Sequence, residues 1–258
     1  MTTPHGDAEG TGRYLGWDGK LPASLRALLT KPGFLTEEFL AGRRARWLSP
    51  LRLYLICSVV YFLSGPLIER MTGHSQKAVA QIKITGDSTE RRIISDSSAF
   101  VNDPDVQNNV IARAVGGPSR LWYFINHQQE MQDNVAAAIP RAMFVLMPIF
   151  ALLTLGAWQS TGRRYPAHLA FSLHLHATFF AALTLASIIA AFNLIALDLV
   201  VQLGVLVYST WYTIVAFKRT LGGTSSQLFW RSTIVGLVYA PLALVVTMAA
   251  VAVALIAK

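Results

Sequence analysis

Five long apolar runs separated by shorter polar connections are the feature that most limits what this 258-residue chain can fold into. The runs cover residues 48–68, 136–158, 168–192, 199–217 and 233–257. A hydrocarbon core about 30 Å thick needs about 20 mainly apolar residues in a helix. Because backbone polar groups in lipid must pair within their own segment, each run is expected to be helical. The pattern therefore predicts an all-α, polytopic membrane helical bundle with five transmembrane helices.

The overall composition agrees with a membrane protein rather than a soluble one. Hydrophobic residues make up 53% of the chain and charged residues only 14%, whereas about a quarter of a soluble domain is charged. The single cysteine, Cys57, lies inside the first apolar run. A disulfide framework and a cysteine-based zinc site are therefore excluded.

The net charge of +8 is confined to the N-terminal segment and to the connections after the second and fourth apolar runs. The positive-inside rule places such segments in the cytoplasm, which predicts a cytoplasmic N-terminus and an extracytoplasmic C-terminus. Basic residues at these positions attract anionic lipid, and nucleic acid is not an expected partner. The residues expected to contact lipid or a protein partner are Arg43, Arg44, Arg46, Arg52, Arg163, Arg164, Lys218 and Arg219.

Three segments are expected to lie outside the bilayer core. Residues 1–19 have the composition of a disordered cytoplasmic tail, and residues 69–135 form an extracytoplasmic segment of undetermined fold. Residues 20–47 contain two short amphipathic stretches, one before and one after the turn signal Lys31-Pro32-Gly33. They are predicted to be interfacial helices that act either as a collar at the membrane surface or as a docking platform.

The third apolar run carries an unusual number of polar residues. His168, Ser172 and His176 share one helical stripe, whereas His174 points nearly opposite to His176. Because His168 and His176 are about 12 Å apart along a straight helix, they cannot share a metal ion. Three roles remain open for these residues: hydrogen bonding between helices, ligation of a metal or haem, and proton relay or substrate contact. The complete candidate site comprises His168, Ser172, His174, His176, Glu37, Glu38 and Arg141.

No catalytic signature accompanies these residues. The chain lacks a phosphate-binding Gly-x-x-x-x-Gly-Lys loop, a Gly-x-Ser-x-Gly elbow, a His-Glu-x-x-His motif and a carboxylate pair within an apolar run. We therefore expect a non-catalytic binding or scaffold protein without a cofactor, which contacts lipid headgroups or a protein partner. The alternatives are a transporter or metal- or haem-handling protein that uses the histidines, and a membrane enzyme acting on lipid. A homo-oligomer is compatible with each of these functions.

Several stretches together resemble a known family. They are LLTKPGF at 28–34, FLAGRRARWLSPLRLYL at 39–55, YPAHLAFSLHLHA at 165–177 and WYTIVAFKRTLG at 211–222. The pattern is similar to that of bacterial membrane proteins grouped as the domain of unknown function 3667 family. Members of that family often begin with a cysteine zinc ribbon, whose cysteines this chain lacks. The resemblance implies a multi-pass protein of the bacterial inner membrane and supplies no reaction.

Overall fold

The structure is a computed structural model that describes residues 19–72, 96–114, 116–192 and 195–256. Every regular element within these ranges is a helix. Residues 1–18 of the predicted tail and residues 73–95 of the predicted extracytoplasmic segment lie outside the described residues.

The helices are numbered here in chain order. The N-terminal part contains α1 (Lys20–Thr30), α2 (Phe34–Leu40) and α3 (Pro50–Thr72). Four short helices follow: α4 (Ser97–Asn102), α5 (Pro104–Asn108), α6 (Val110–Ala114) and α7 (Pro118–Asn126). The remaining α-helices are α8 (Gln128–Ala157), α9 (Tyr165–Ala190), α10 (Ile195–Leu221) and α11 (Ser225–Ile256), with a 3₁₀ turn at Gln159–Thr161.

Among the described residues, five helices are long and apolar enough to cross a membrane. The qualifying segments are Pro50–Ile68, Ala137–Ala157, Tyr165–Ala190, Leu199–Leu221 and Ser225–Val251. This finding confirms the predicted all-α polytopic bundle.

Four of these helices, α8 to α11, begin earlier than their apolar runs, and local sequence explains the starts of α9 and α11. α9 begins at Tyr165 because Pro166 fits the first turn, where a missing N–H costs nothing. α11 begins at Ser225 because Thr224 and Gln227 form a reciprocal cap. The Gln227 backbone N–H donates to Thr224 Oγ1, and the Thr224 backbone N–H donates to Gln227 Oε1, both at 3.3 Å. This capping box lets polar residues form the first turns of the helix.

The chain divides into two compact units. The first contains the described residues up to Thr72 together with those from Ala142 to Val246. The second contains the described residues from 96 to Arg141 and those from Thr247 onwards.

Helix α9 is the central element of the first unit. It packs against α1, α2, α3 and α10, and every residue from 167 to 178 except Leu169 is buried. A helix buried on all sides has to be apolar or has to satisfy its polar side chains against its neighbours. The polar residues of this helix are therefore expected to hold specific helix–helix contacts.

The N-terminal hairpin, defined as α1, the turn at 31–33 and α2, packs onto this central helix. Leu28 and Leu35 are buried in one apolar core with Leu53, Leu173 and Phe180. At the end of α1, the Leu29 carbonyl accepts a 2.8 Å hydrogen bond from the Tyr208 hydroxyl of α10. This bond satisfies one of the carbonyls that a helix end leaves without a partner.

The turn of the hairpin closely approaches α10. Gly33 has a φ of +72°, and a Cβ added there would lie 3.0 Å from Thr220 Oγ1 and 3.2 Å from the Ala216 carbonyl oxygen. Glycine is therefore required at this position both for its backbone conformation and for the close contact.

In the second unit, two aspartates set the starts of short helices. The Asp96 carboxylate accepts from the Ser98 backbone N–H at 2.9 Å and caps α4. The Asp103 carboxylate accepts from the Asp105 backbone N–H at 2.8 Å and caps α5, whose first turn contains Pro104. α4 packs against α5 and α7, and Phe100 is buried.

The contact between the turn and α10 predicts a large difference between two glycine substitutions. Gly33→Ala should destabilise the protein by about 2–4 kcal/mol, because it adds a left-handed backbone penalty and an overpacked contact. Gly42→Ala is the matched control, since Gly42 has a φ of +79° but nothing within 4 Å of an added Cβ. The measurement is thermal unfolding of both variants in the same detergent. Equal losses of stability would contradict the close docking of the turn.

Candidate functional site

The polar residues of α9 contact different helices. His168 Nδ1 lies 3.2 Å from Thr154 Oγ1 of α8. Because the Thr154 hydroxyl donates to the Ala151 carbonyl at 3.0 Å, it accepts from the N–H of His168. One turn further, the Ser172 hydroxyl donates to the Met147 carbonyl of α8 at 3.1 Å. His168 and Ser172 therefore join α9 to α8.

His174 contacts the N-terminal hairpin instead. Its Nδ1 lies 2.9 Å from the hydroxyl of Thr36 on α2, and both side chains are buried. These two residues are separated by 138 positions in the chain. The bond is therefore a tertiary link between the hairpin and the central helix.

His176 has hydrogen bonds at both ring nitrogens. Its Nδ1–H donates to the Ser172 carbonyl at 2.8 Å, so Nε2 accepts from the Tyr239 hydroxyl of α11 at 3.0 Å. The ring also meets Phe150 edge-on, with centroids 5.3 Å apart. This arrangement holds the imidazole ring between α8, α9 and α11.

Two histidine nitrogens, Nε2 of His168 and Nε2 of His174, are buried without a hydrogen-bond partner among the described residues. On a regular helix these residues are about 9 Å apart along the axis and about 120° apart around it. Their partner helices also differ, since His168 contacts α8 and His174 contacts α2. One small ion therefore cannot bind both nitrogens in this arrangement.

The acidic candidates lie with basic residues rather than with the histidines. Glu37 accepts from Arg219 Nε at 2.5 Å. Glu38 accepts from Arg43 Nε at 3.0 Å and from Trp47 Nε1 at 3.3 Å. The hydrogen bond from Arg43 lowers the pKa of the Glu38 carboxyl from its usual value, so this group remains ionised well below neutral pH.

The described part of the chain contains no group of three His, Cys, Asp or Glu side chains that could hold a metal ion. Arg141 belongs to the second unit, where its side chain is exposed. The candidate residues of the first unit therefore make several separate contacts, most of them between helices.

The structure forms a cavity that the sequence did not predict as one site. It has a volume of about 250 Å³ and lies where the hairpin meets the start of α3. We call it the basic cavity. Its lining residues are Lys20, Leu35, Phe39, Arg43, Arg44, Trp47, Leu48, Ser49 and Arg52.

Three of the basic residues predicted to contact lipid or a partner, namely Arg43, Arg44 and Arg52, line this cavity. Of the others, Arg46, Arg164 and Lys218 are exposed and do not line it, Arg163 is half-buried, and Arg219 pairs with Glu37. Sequence reasoning missed Lys20 and Ser49. Lys20 could have been included, because it is a charged residue at the start of an amphipathic helix that was expected to lie near the first span.

The neighbours of two arginines show how the cavity is built. Arg43 forms an ion pair with Glu38 at 2.5 Å on α2. The Arg44 guanidinium lies over the Phe39 ring, 4.2 Å from its centroid, and its Nε donates to the Phe39 carbonyl at 3.4 Å. Both cationic groups are thus held against the end of α2, which limits their motion.

Lys20 and Arg52 form the other side of the charge cluster. Neither side chain has an ion pair or hydrogen bond with any residue that the structure describes. Arg52 stands in the first turn of α3 and Ser49 directly precedes that helix. The cavity therefore presents cationic donors at the start of a helix of membrane-spanning length.

Comparison with known protein families matches residues 18–62 to a family described as Protein of unknown function (DUF3667). The match confirms the predicted family resemblance for the stretches at 28–34 and 39–55, and the stretches at 165–177 and 211–222 lie outside it. It contains every residue that lines the basic cavity. Comparisons with curated proteins and with solved structures give no match.

The interhelical role of His176 predicts the effect of removing its partner hydroxyl. Tyr239→Phe should destabilise the protein by about 1–3 kcal/mol, because it leaves a buried imidazole nitrogen without a donor. Tyr61→Phe is the control: this ring also packs in an aromatic cluster, and no hydrogen bond of its hydroxyl is described. The measurement is thermal unfolding in detergent. Equal stability of the two variants would contradict a structural role for the bond.

Proposed function

We propose that this chain is a non-catalytic binding or scaffold protein of the bacterial inner membrane. Its N-terminal hairpin contacts anionic lipid headgroups. The proposal starts from the segment at residues 18–62, which matches the DUF3667 family. The family description supplies no activity, so the proposal depends on what the shared segment contains. That segment comprises the hairpin, the basic cavity and the first part of α3.

The observation that carries the proposal is the cluster of Lys20, Arg43, Arg44 and Arg52 beside the start of a membrane-length helix. Anionic leaflet lipids attract basic groups near the surface with about 1 kcal/mol for each Lys or Arg. Apolar and aromatic side chains in the same cavity suit the boundary between headgroups and acyl chains.

The contacts of the histidines support a structural role for α9 rather than transport or metal handling. Their hydrogen bonds go to α8, α2 and α11, or back to α9 itself. A transport path or a metal centre needs such groups to converge on one cavity. The basic cavity, in contrast, contains no histidine.

Removal of basic residues from the segment that follows the hairpin should reduce the preference for anionic lipid. The variant combines Arg43→Gln, Arg44→Gln and Arg46→Gln, and its affinity for anionic lipid should fall by roughly 10- to 100-fold. The measurement is titration of detergent-solubilised protein with labelled anionic and zwitterionic phospholipid. The control removes the same number of charges from the second unit by Arg113→Gln, Arg120→Gln and Arg141→Gln. Unchanged affinity in the Arg43, Arg44 and Arg46 variant, with unfolding like that of the wild type, would contradict the proposal.

The proposed orientation places the hairpin in the cytoplasm and the C-terminus outside. Its support is the concentration of the +8 net charge on the N-terminal segment and on alternate connections.

Single-cysteine labelling tests this orientation. In a Cys57→Ser background, a membrane-impermeant maleimide should label Ser119→Cys in intact spheroplasts. It should label Ser160→Cys only after the membrane is permeabilised. Both serines are exposed, which makes the two positions comparable. The reverse labelling pattern would contradict the orientation.

A further inference from the structure

We propose that the basic cavity is a discrete site for the headgroup of one anionic phospholipid, with selectivity for a phosphodiester that carries no amine. This inference rests on the proposed function and makes it more specific. A diffuse basic surface would attract any anionic lipid in proportion to its charge, whereas a built cavity places its donors at fixed positions.

The first support is the supply of donors inside the cavity. Arg43 uses its Nε and Nη2 nitrogens to hold Glu38, and no bond of its Nη1 nitrogen is described. Arg44 is held on Phe39 through its ring contact and its Nε. The remaining guanidinium N–H groups match the oxygens of a phosphate, which binds such forks strongly.

The second support is the balance of charge around the cavity. Four basic residues line it: Lys20, Arg43, Arg44 and Arg52. The carboxylate of Glu38 forms an ion pair with Arg43, whereas Lys20 and Arg52 have no ion pair with any described residue. Cations gathered at one place repel each other unless an anion joins them. A headgroup phosphate would supply that anion, and an ammonium on the same headgroup would restore the repulsion.

The third support is the apolar part of the cavity. Leu35, Phe39, Trp47 and Leu48 share its wall with the basic residues. Trp47 also meets Phe34 edge-on, with centroids 5.5 Å apart, which fixes its ring. A free phosphate ion has no group to place against this wall, whereas the first methylenes of the acyl chains of a lipid do. The chemistry therefore favours a phosphate that belongs to a lipid.

The size of the cavity limits its occupancy. Its volume of about 250 Å³ is on the scale of a single headgroup. We therefore expect saturation at one lipid per chain.

The direct test follows binding of dioctanoyl phosphatidylglycerol to the full-length protein in detergent, with dioctanoyl phosphatidylethanolamine as the amine-bearing comparison. Native mass spectrometry counts bound lipids, and titration gives the affinity. Wild-type protein should bind one phosphatidylglycerol at least tenfold more tightly than phosphatidylethanolamine. Saturation at several equivalent lipids, or equal affinity for both lipids, would overturn the proposal.

Two double variants each remove two positive charges, one variant from the cavity and the other from exposed positions outside it. Lys20→Gln with Arg52→Gln removes cations from the cavity, whereas Arg46→Gln with Lys218→Gln removes exposed cations that do not line it. The cavity pair should weaken binding of phosphatidylglycerol at least tenfold, and the outer pair less than threefold. Equal effects of both pairs would overturn the discrete site while leaving the proposed headgroup contact intact. No effect of either pair would overturn both.

A third variant changes the cavity without removing a cation. Ser49 lies immediately before α3, and its carbonyl accepts from the Leu53 backbone N–H at 3.0 Å. Aspartate suits a position that caps a helix, so Ser49→Asp should leave α3 folded while adding an anion to the cavity wall. It should reduce phosphatidylglycerol binding at least tenfold, with an unfolding temperature close to that of the wild type. Wild-type affinity would overturn the proposal.

Competition distinguishes the source of the phosphate. Millimolar inorganic phosphate or glycerophosphoglycerol should displace less than half of the bound lipid, because neither compound has acyl-chain methylenes that pack against the apolar wall. Full displacement by either compound would assign the cavity to a soluble phosphate and overturn the lipid assignment. An acidic peptide that competes as well as phosphatidylglycerol would overturn it in favour of a protein partner.

Discussion

The docking of the N-terminal hairpin onto the buried helix α9 is the interaction on which the rest of the first unit depends. Burial of a polar side chain is unfavourable unless it is hydrogen-bonded. Four polar residues of α9 are bonded to neighbouring helices and so restrict their positions: His168, Ser172, His174 and His176. Thr36 and His174 apply this constraint to the hairpin, at 2.9 Å. Tyr208 of α10 restricts the end of α1 through its hydrogen bond to the Leu29 carbonyl. Gly33 completes the docking because only glycine allows the turn to approach α10 so closely.

This docking gives the basic residues a defined arrangement. Arg43 and Arg44 are held against Glu38 and Phe39, both of which belong to the docked helix α2. Arg52 lies on α3, which shares the core containing Leu28 and Leu35. Because Arg43 and Arg44 are held by these contacts, they lose less conformational entropy when a ligand binds. The polar residues of α9 thereby contribute to the proposed lipid contact without touching the lipid.

The parts of the fold that follow from local pattern could be predicted from the sequence. Long apolar runs identified the five membrane-length helices, and amphipathic spacing on either side of Lys31-Pro32-Gly33 identified α1 and α2. The early start of α11 at Ser225 was missed because it depends on a cap formed by Thr224 and Gln227 rather than on apolar residues. The basic cavity was missed for a different reason. Lys20 and Arg52 are distant in sequence, and only the tertiary docking of the hairpin places both beside one space.

The most direct test of the central claim weakens the docking of the hairpin onto α9 without removing any basic residue. Thr36→Val removes the hydroxyl that meets His174, whereas Thr30→Val removes an exposed hydroxyl that bonds only within α1, to the Arg26 carbonyl. If docking of the hairpin sets the arrangement of the cavity, Thr36→Val should lower the affinity for anionic phospholipid by roughly three- to tenfold, because weaker docking reduces the share of protein in which the cavity is assembled. Thr30→Val should leave that affinity unchanged. Wild-type affinity in Thr36→Val, together with a lowered unfolding temperature, would contradict the account, because the hairpin would then bind lipid independently of its contact with α9.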